Sequence, residues 1–451
     1  MIQTRFSEKC SYQSKQKLVN FNVLLNKIKN AGGYLLMLPV FAVLLNGCAS
    51  DKKQDKLIEF WAMGVEAQHL CTLVAEFERE NPGLQVNVQA IPWSAAHEKL
   101  LTAYAGGSTP DLCQLGNTWI PEFVILNALE SFDNYLENTS ELNETDYFPG
   151  IWQTNIIDET LFGIPWYVDT RLLFFRKDIF EEYGYSSAPK TWNDLFDLAR
   201  KIQMDGKTKY AFYLPLNGWH EIVAMAMQSG STLLKDNNTY GNFDTPEFQN
   251  ALRFFSKLYK HQLCPLGMNT ISNLYQSFAD NYFSIYISGP WNLGEFDRRL
   301  PDSMQEKWMV APMPSFNDEY PGVSTAGGSS IVMFRKSRNK TAAWKLVEFL
   351  SRPAVQAQFY KLSGDLPANI KAWNLANLHQ NDKTEVFYQQ LQRVKPTPRI
   401  PEWEQVALKI QQYVEIMAYA EMTPEEVGRH LNAEVDRLLE KRRWLLGKEK
   451  P

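Results

Sequence analysis

Few residues in this 451-residue chain stand at spacings that could do chemistry. His220 and Glu221 begin the pair that a helical zinc hydrolase would need, but no histidine follows at the required helical spacing. There is no G-x-S-x-G elbow, no C-x-x-C and no G-x-x-x-x-G-K-[ST] loop, and "GGSS" (Gly327 to Ser330) lacks the lysine of a phosphate loop. Six histidines leave few general bases, whereas 51 acidic residues leave a paired-carboxylate glycosidase open. No catalytic residue, metal-ligand set or cofactor motif is assigned, and the pattern points toward binding.

Tryptophan carries more information. Trp61 ends a strand-like run, Trp119 follows "LGN", Trp166 follows "GIP", Trp219 lies in "LNGWH", Trp291 in "SGPW" and Trp403 in "PEWE". A sugar ring has an apolar C–H face and a rim of hydroxyls, so its site wants flat aromatic walls and planar polar groups. Tryptophans at junctions between elements suit that task. The competing reading, in which each fills a core, stays open for every one taken singly.

The elements that would position them alternate. "LIEFW" (Leu57 to Trp61) reads as a strand, and the following segment repeats Leu70, Leu73, Val74 and Phe77 at helical spacing. Asn81, Pro82 and Gly83 stop that helix before "LQVNVQAI", whose alternation predicts a second strand. A helix over 94–105 then leads to "PDLCQLG", a third strand. Such β–α–β order predicts a parallel sheet that binds ligands beyond the carboxyl ends of its strands. Further on, Thr191 with Asp194, Thr245 with Pro246, and Thr423 with Pro424 and Glu426 mark helix starts. Val427, Leu431, Val435 and Leu438 give the last helix an apolar face, and "KRRW" (Lys441 to Trp444) reads as its dipole-matching end.

Net charge is −5 and no basic stripe appears, which argues against nucleic acid. Near the N-terminus, Lys27 and Lys29 precede a twelve-residue apolar run, Tyr34 to Leu45, short of the roughly 20 residues a membrane-spanning helix needs. It reads as the core of a secretory signal. "LNGC" after it resembles the lipobox of bacterial lipoproteins, which implies residues 1–47 as a removed signal peptide, Cys48 as the lipidated residue and 48–56 as a tether. The 404 residues left exceed what one core usually holds, so two lobes are expected. Cys71, Cys113 and Cys264 form no disulfide framework and no metal pattern.

Taken in order, residues 57–440 resemble the extracellular solute-binding proteins of bacterial ABC importers, the family that includes the maltodextrin-binding proteins. The fragments that carry this are "EFERENPGLQVNVQAIPW" (76–93), "KLLTAYAGGSTPDLCQLGNTWIPEF" (99–123), "LFGIPWYVDTRLLFFRKDIFEEYG" (161–184), "SGPWNLGEF" (288–296), "VAPMPSF" (310–316), "STAGGSSIVMFRKSRNKTAAWKLVEFLSRPAVQAQF" (324–359) and "GDLPANIKAW" (364–373). The resemblance implies an α/β fold of the two-lobed periplasmic-binding-protein type II class. Lobe one would hold 57–168 plus 312–350 and lobe two 176–306 plus 351–451, with hinge crossovers near 169–176, 310–314 and 350–355. It also implies a carbohydrate ligand, permease subunits as partners, no enzymatic activity and an exported, membrane-anchored monomer.

Site positions follow from the same resemblance. Trp291 matches a ring that stacks on sugar. Gly327 and Gly328 match a loop where backbone approaches solute, which glycine permits sterically. The loop after the first strand offers Trp61, Gly64 or Glu66, and the third strand leads to Gln114, Asn117 and Trp119. Asp169 and Arg171 straddle the first crossover, where they touch solute or pair with each other. Trp219, Asp365, Trp403 and Glu404 complete the set. Two other readings stay open: a carbohydrate-active lipoprotein enzyme, and an importer component for another solute such as a glycerol phosphate ester.

Overall fold

The computed structural model describes residues 57–267, 271–317 and 319–448. Tyr34–Leu45, Cys48 and the tether therefore lie outside the described residues. The chain divides into two compact units, one running to Cys113 and taking in Lys336–Leu346, the other holding Gln114–Arg335 and Val347–Pro451.

In the first unit, strand β1 (Leu57–Met63) leads into helix α1 (Glu66–Glu80) and strand β2 (Gln85–Ile91). The predicted unit forms because each element has one apolar side. Ile58 and Phe60 meet Leu70, Leu73 and Phe77 in a water-free layer, which is the dominant driving force at such a junction. The Asn81 amide ends α1 on the Phe77 carbonyl, and Gly83 turns the chain with φ +98°. β1 and β2 pair parallel from Leu57↔Gln85 to Met63↔Ile91. Helix α2 (Trp93–Ala105) follows, and Leu112 and Cys113 of strand β3 (Leu112–Gly116) lie parallel to Phe60 and Trp61.

In the second unit, strand β4 (Ile164–Asp169) ends two residues before strand β5 (Leu172–Arg176), which enters a different sheet. Helix α3 (Trp192–Met204) starts on Thr191, whose hydroxyl accepts from the Asp194 amide. Strand β6 (Phe212–Tyr213), helix α4 (His220–Gln228) and helix α5 (Pro246–Lys260) follow. At α5 the Thr245 hydroxyl turns instead to the Asn242 carbonyl. Strand β7 (Ile285–Ser288), helix α6 (Trp291–Arg299), strand β8 (Trp308–Ala311) and strand β9 (Gly327–Met333) come next. The sheet order is β8-β5-β7-β6.

The parallel pairing predicted from the first elements holds for β1, β2 and β3, and direction is mixed in the second unit. β7 and β6 run parallel, but β5 is antiparallel to both β7 and β8, and β9 is antiparallel to β4. The short passage at Thr170–Arg171 carries the chain from β4 into another sheet, and the antiparallel pairs form with strands distant in sequence.

Helices α7 (Trp403–Ala418) and α8 (Pro424–Leu438) close the second core. Val427, Leu431 and Val435 are fully buried. The basic stretch does not end α8: it belongs to a separate helix, α9 (Glu440–Lys448). Arg443 nevertheless reaches back and donates to the Asp436 carbonyl at 2.6 Å, satisfying an orphan group of the last turn of α8. Cys71, Cys113 and Cys264 are free thiols, the latter two buried. Among the described residues no helix is long and apolar enough to cross a membrane.

α8 carries a full capping box: the Glu426 amide donates to the Thr423 hydroxyl at 3.3 Å and the Thr423 amide donates to the Glu426 carboxylate at 2.8 Å. Thr423→Ala is expected to lower unfolding free energy by about 1 kcal/mol, read as a shift of the urea midpoint without a change in slope.

Candidate functional site

The passage between β4 and β5 places Asp169 and Arg171 side by side. Arg171 Nη1 donates to both Asp169 oxygens, at 2.7 and 2.9 Å. Its Nε lies 3.7 Å from a carboxylate oxygen of Glu221 in the first turn of α4. The backbone is pinned at the same point, because the Arg171 amide donates to the Ser324 hydroxyl, which donates to the Arg171 carbonyl, each at 3.1 Å.

Over this guanidinium stands the indole of Trp291, 4.8 Å from ring centre to carbon. Trp291 is 45% exposed, and the guanidinium occupies one ring face. Cation–π contact contributes about 1 kcal/mol, more where water is excluded. Gly289 makes the pose possible, since an added Cβ there would overlap the indole. Tyr286 of β7 adds a second aromatic group whose phenol is raised by burial and by the charge of Glu221.

Electrostatics in this cluster are tightly coupled. Burial works against the Arg171 charge, but Asp169 and then Glu221 raise its affinity for the proton. Burial raises Glu221 above the usual carboxylate range, and Arg171 opposes that shift. Next to it, burial and then Arg171 hold His220 well below 6.5. His220 stacks on Trp219 at 3.8 Å, and Trp219 meets Trp403 edge-on at 5.4 Å.

A second group is gathered on β9. Gly327 pairs with Asp169 and Gly328 with Val168, so both glycines head a strand where a loop was expected. Gly328 has φ +125°, and a Cβ there would collide with the Tyr167 carbonyl. The next residue, Ser329, donates to the Tyr167 hydroxyl at 3.0 Å, and buried Gln114 donates to the same oxygen at 2.8 Å. Ser330 donates to Asn117 at 3.0 Å. Asn117 also lines a narrow hollow with Thr154 and Pro398, and its Nδ2 is buried without a partner among the described residues. Trp119 lies half-buried across Gly116. Asp365, half-buried, precedes Leu366, whose carbonyl accepts from Val168.

Not every expected residue joins. Trp403 is fully enclosed within the apolar core, because the first turn of α7 faces inward, so it offers no open ring face. Trp166 is likewise buried, stacked on Phe359 at 4.3 Å. Within the first unit, taken by itself, Lys99 covers the Trp61 ring at 5.0 Å and the Glu66 carboxylate lies against Gly64. Glu221, Tyr286 and Gly289 were missed from sequence. A larger hollow, about 430 Å³, lies among Ile156, Asp158, Asn238, Arg399 and Arg442 and contains none of the expected residues. Among the described residues no group of acids, histidines and cysteines could hold a metal.

Because folded His220 resists protonation, the unfolded chain binds more protons below about pH 6.5, and stability is lost as pH falls through that value. Denaturant titrations should show a loss of up to about 1.4 kcal/mol per pH unit from this group. His220→Gln should flatten that slope.

Comparison with known proteins gives these residues their setting. The sugar-binding protein MalE from Xanthomonas citri is 43% identical, with a TM-score of 0.83, covering 87% of this chain and all of that one. A solute-binding protein of an ABC transporter from Thermotoga lettingae, bound with α-D-tagatose, is 27% identical with a TM-score of 0.73, covering 85% of this chain and all of the other. The maltotriose-binding protein of Pyrococcus abyssi is 24% identical over 342 residues, 74% of this chain and 71% of its own. These neighbours share the two-lobed α/β fold that the sequence predicts. The profile of the bacterial extracellular solute-binding proteins matches residues 70–357, and the chain belongs to that family.

Proposed function

We propose that this protein captures a mono- or oligosaccharide outside the cytoplasmic membrane and delivers it to the permease of an ABC importer, held at the membrane by a lipid on Cys48. The observation that carries the sugar reading is the half-exposed Trp291 seated on Arg171 beside Asp169, Glu221 and Tyr286. An indole face matches the C–H face of a pyranose, and planar charged groups at its edge match vicinal hydroxyls. The names of the relatives, for sugars of different sizes, agree with the class and leave the chain length of the ligand to experiment.

Charge weighs against a phosphate ester. Asp169 and Glu221 outnumber Arg171, so an anionic solute would meet net negative charge there. Arg399 donates to the Gln153 and Ile156 carbonyls, and Arg442 pairs with Glu402 at 3.8 Å, which engages both in structure. The carboxylates Asp169 and Glu221 serve in this reading as partners of one arginine, and the protein performs no hydrolysis.

The lobes are those drawn from the sequence, 57–168 plus 312–350 and 176–306 plus 351–451, with Thr170–Arg171 as one crossover. Solute shifts the population toward a closed form by touching both lobes at once. The Ser324 bonds to the Arg171 backbone hold the first crossing segment in place.

Thermal-shift measurement of the purified chain against maltose, maltotriose, galactooligosaccharides and tagatose should find a sugar that raises the melting temperature. Trp291→Ala is expected to abolish that rise while leaving the sugar-free protein nearly as stable; an undiminished rise would refute the platform. Cys48→Ala should abolish incorporation of labelled fatty acid into the protein, and continued labelling would refute the anchor assignment.

A further inference from the structure

We infer that Lys336, Arg338, Lys340 and Lys345 form a cationic face that lies against the anionic headgroups of the membrane carrying the anchor. The inference rests on the lipid anchor proposed above and adds a second contact to it. In the first unit, Asn339 Nδ2 donates to the Leu57 carbonyl at 2.9 Å, so this loop sits beside the point where the tether enters the fold. The loop is held firmly. Ser337 donates to Asp111 at 2.5 Å, Asn339 donates to the same carboxylate at 3.3 Å, and Asp111 also accepts from the Glu59 amide.

That arrangement turns the local acid inward and the bases outward. Asp111 is buried, whereas Lys336, Arg338 and Lys345 are exposed and Lys340 half-exposed. Among the described residues no carboxylate pairs with Lys336, Arg338 or Lys345. Arg338, Lys340 and Lys345 line one open hollow of about 390 Å³ with Leu84 and Asn339. A chain with net charge −5 thus gathers four bases within ten residues, next to its own attachment point.

The length of chain between Cys48 and the first described residue selects the occupant. Residues 49–56 lie between Cys48 and Leu57, and eight residues span roughly 25 to 30 Å when fully extended. The loop is therefore confined within reach of the bilayer, at an effective concentration in the millimolar range. Lys52, Lys53 and Lys56 against Asp51 and Asp55 leave the tether with a net positive charge as well. A base brought within a Debye length of an anionic surface, about 8 Å at physiological ionic strength, gains about fivefold in affinity. Several such side chains on a short leash are enough to orient the protein.

The test uses the acylated chain purified from membranes and reconstituted into phosphatidylcholine vesicles with or without phosphatidylglycerol. Acetylation of Lys336 and Lys345 by a water-soluble reagent is followed by mass spectrometry, with the exposed Lys260 of α5 as internal control. Anionic lipid should slow both lysines by about fivefold or more relative to Lys260. High salt, or Arg338→Glu, should restore the rates. Equal rates in both vesicle types overturn the membrane face, and so does protection that appears only when permease is added. An N-terminal peptide without lipid on Cys48 overturns the anchor and this inference with it, while lipid present and rates unchanged overturns the inference alone.

Discussion

A guanidinium removed from water must have its donors met, and Arg171 meets that requirement with two carboxylates and an indole. The choice of partners organises the candidate site. Asp169 comes from the end of one strand, Glu221 from the start of a helix and Trp291 from the start of another, so a single side chain brings three separate elements to one point. Removal of either carboxylate would leave buried charge uncompensated, which is costly. Ser324 adds backbone bonds to the same residue, so the passage between two sheets is held at the residue that also supports the ring.

This arrangement sets how a solute would be met. Trp291 is exposed yet supported from one side, because Arg171 takes one face and Gly289 leaves room for the ring. An aromatic surface ordered before binding loses less side-chain entropy when it is covered. The surrounding charge sums to negative, so selectivity among neutral hydroxyl-rich molecules would come from geometry instead of from attraction to a charged group. The β9 network of Gln114, Tyr167, Ser329, Ser330 and Asn117 is a buried polar group whose members are largely committed to one another.

Local structure was legible wherever one segment decides its own conformation. β1, α1 and β2 follow the apolar periods of their residues, and the Thr423 box forms as its spacing requires. Strand direction was legible for β1, β2 and β3, and not for the later strands, whose partners are distant in sequence. The alternatives left open for Asp169 and Arg171 include the ion pair that forms. Glu221 was read beside His220 as half of an absent metal motif, and its partner stands 50 positions earlier, beyond the reach of any local pattern. Trp403 shows the reverse limit: a tryptophan at a helix start looks like a junction residue, and only the packing of α7 against the rest of the core shows that it faces inward.

The buried thiols add a matter of timing. Cys113 and Cys264 are enclosed, and burial alone pushes both far above the ordinary thiol range. A thiol that cannot ionise is a poor nucleophile and a poor target for oxidants. Once folded, Cys113 and Cys264 are shielded from oxidants without forming a bridge. Before folding these two sulfurs have no such shelter, so the interval before core formation is the period in which they are open to mispairing.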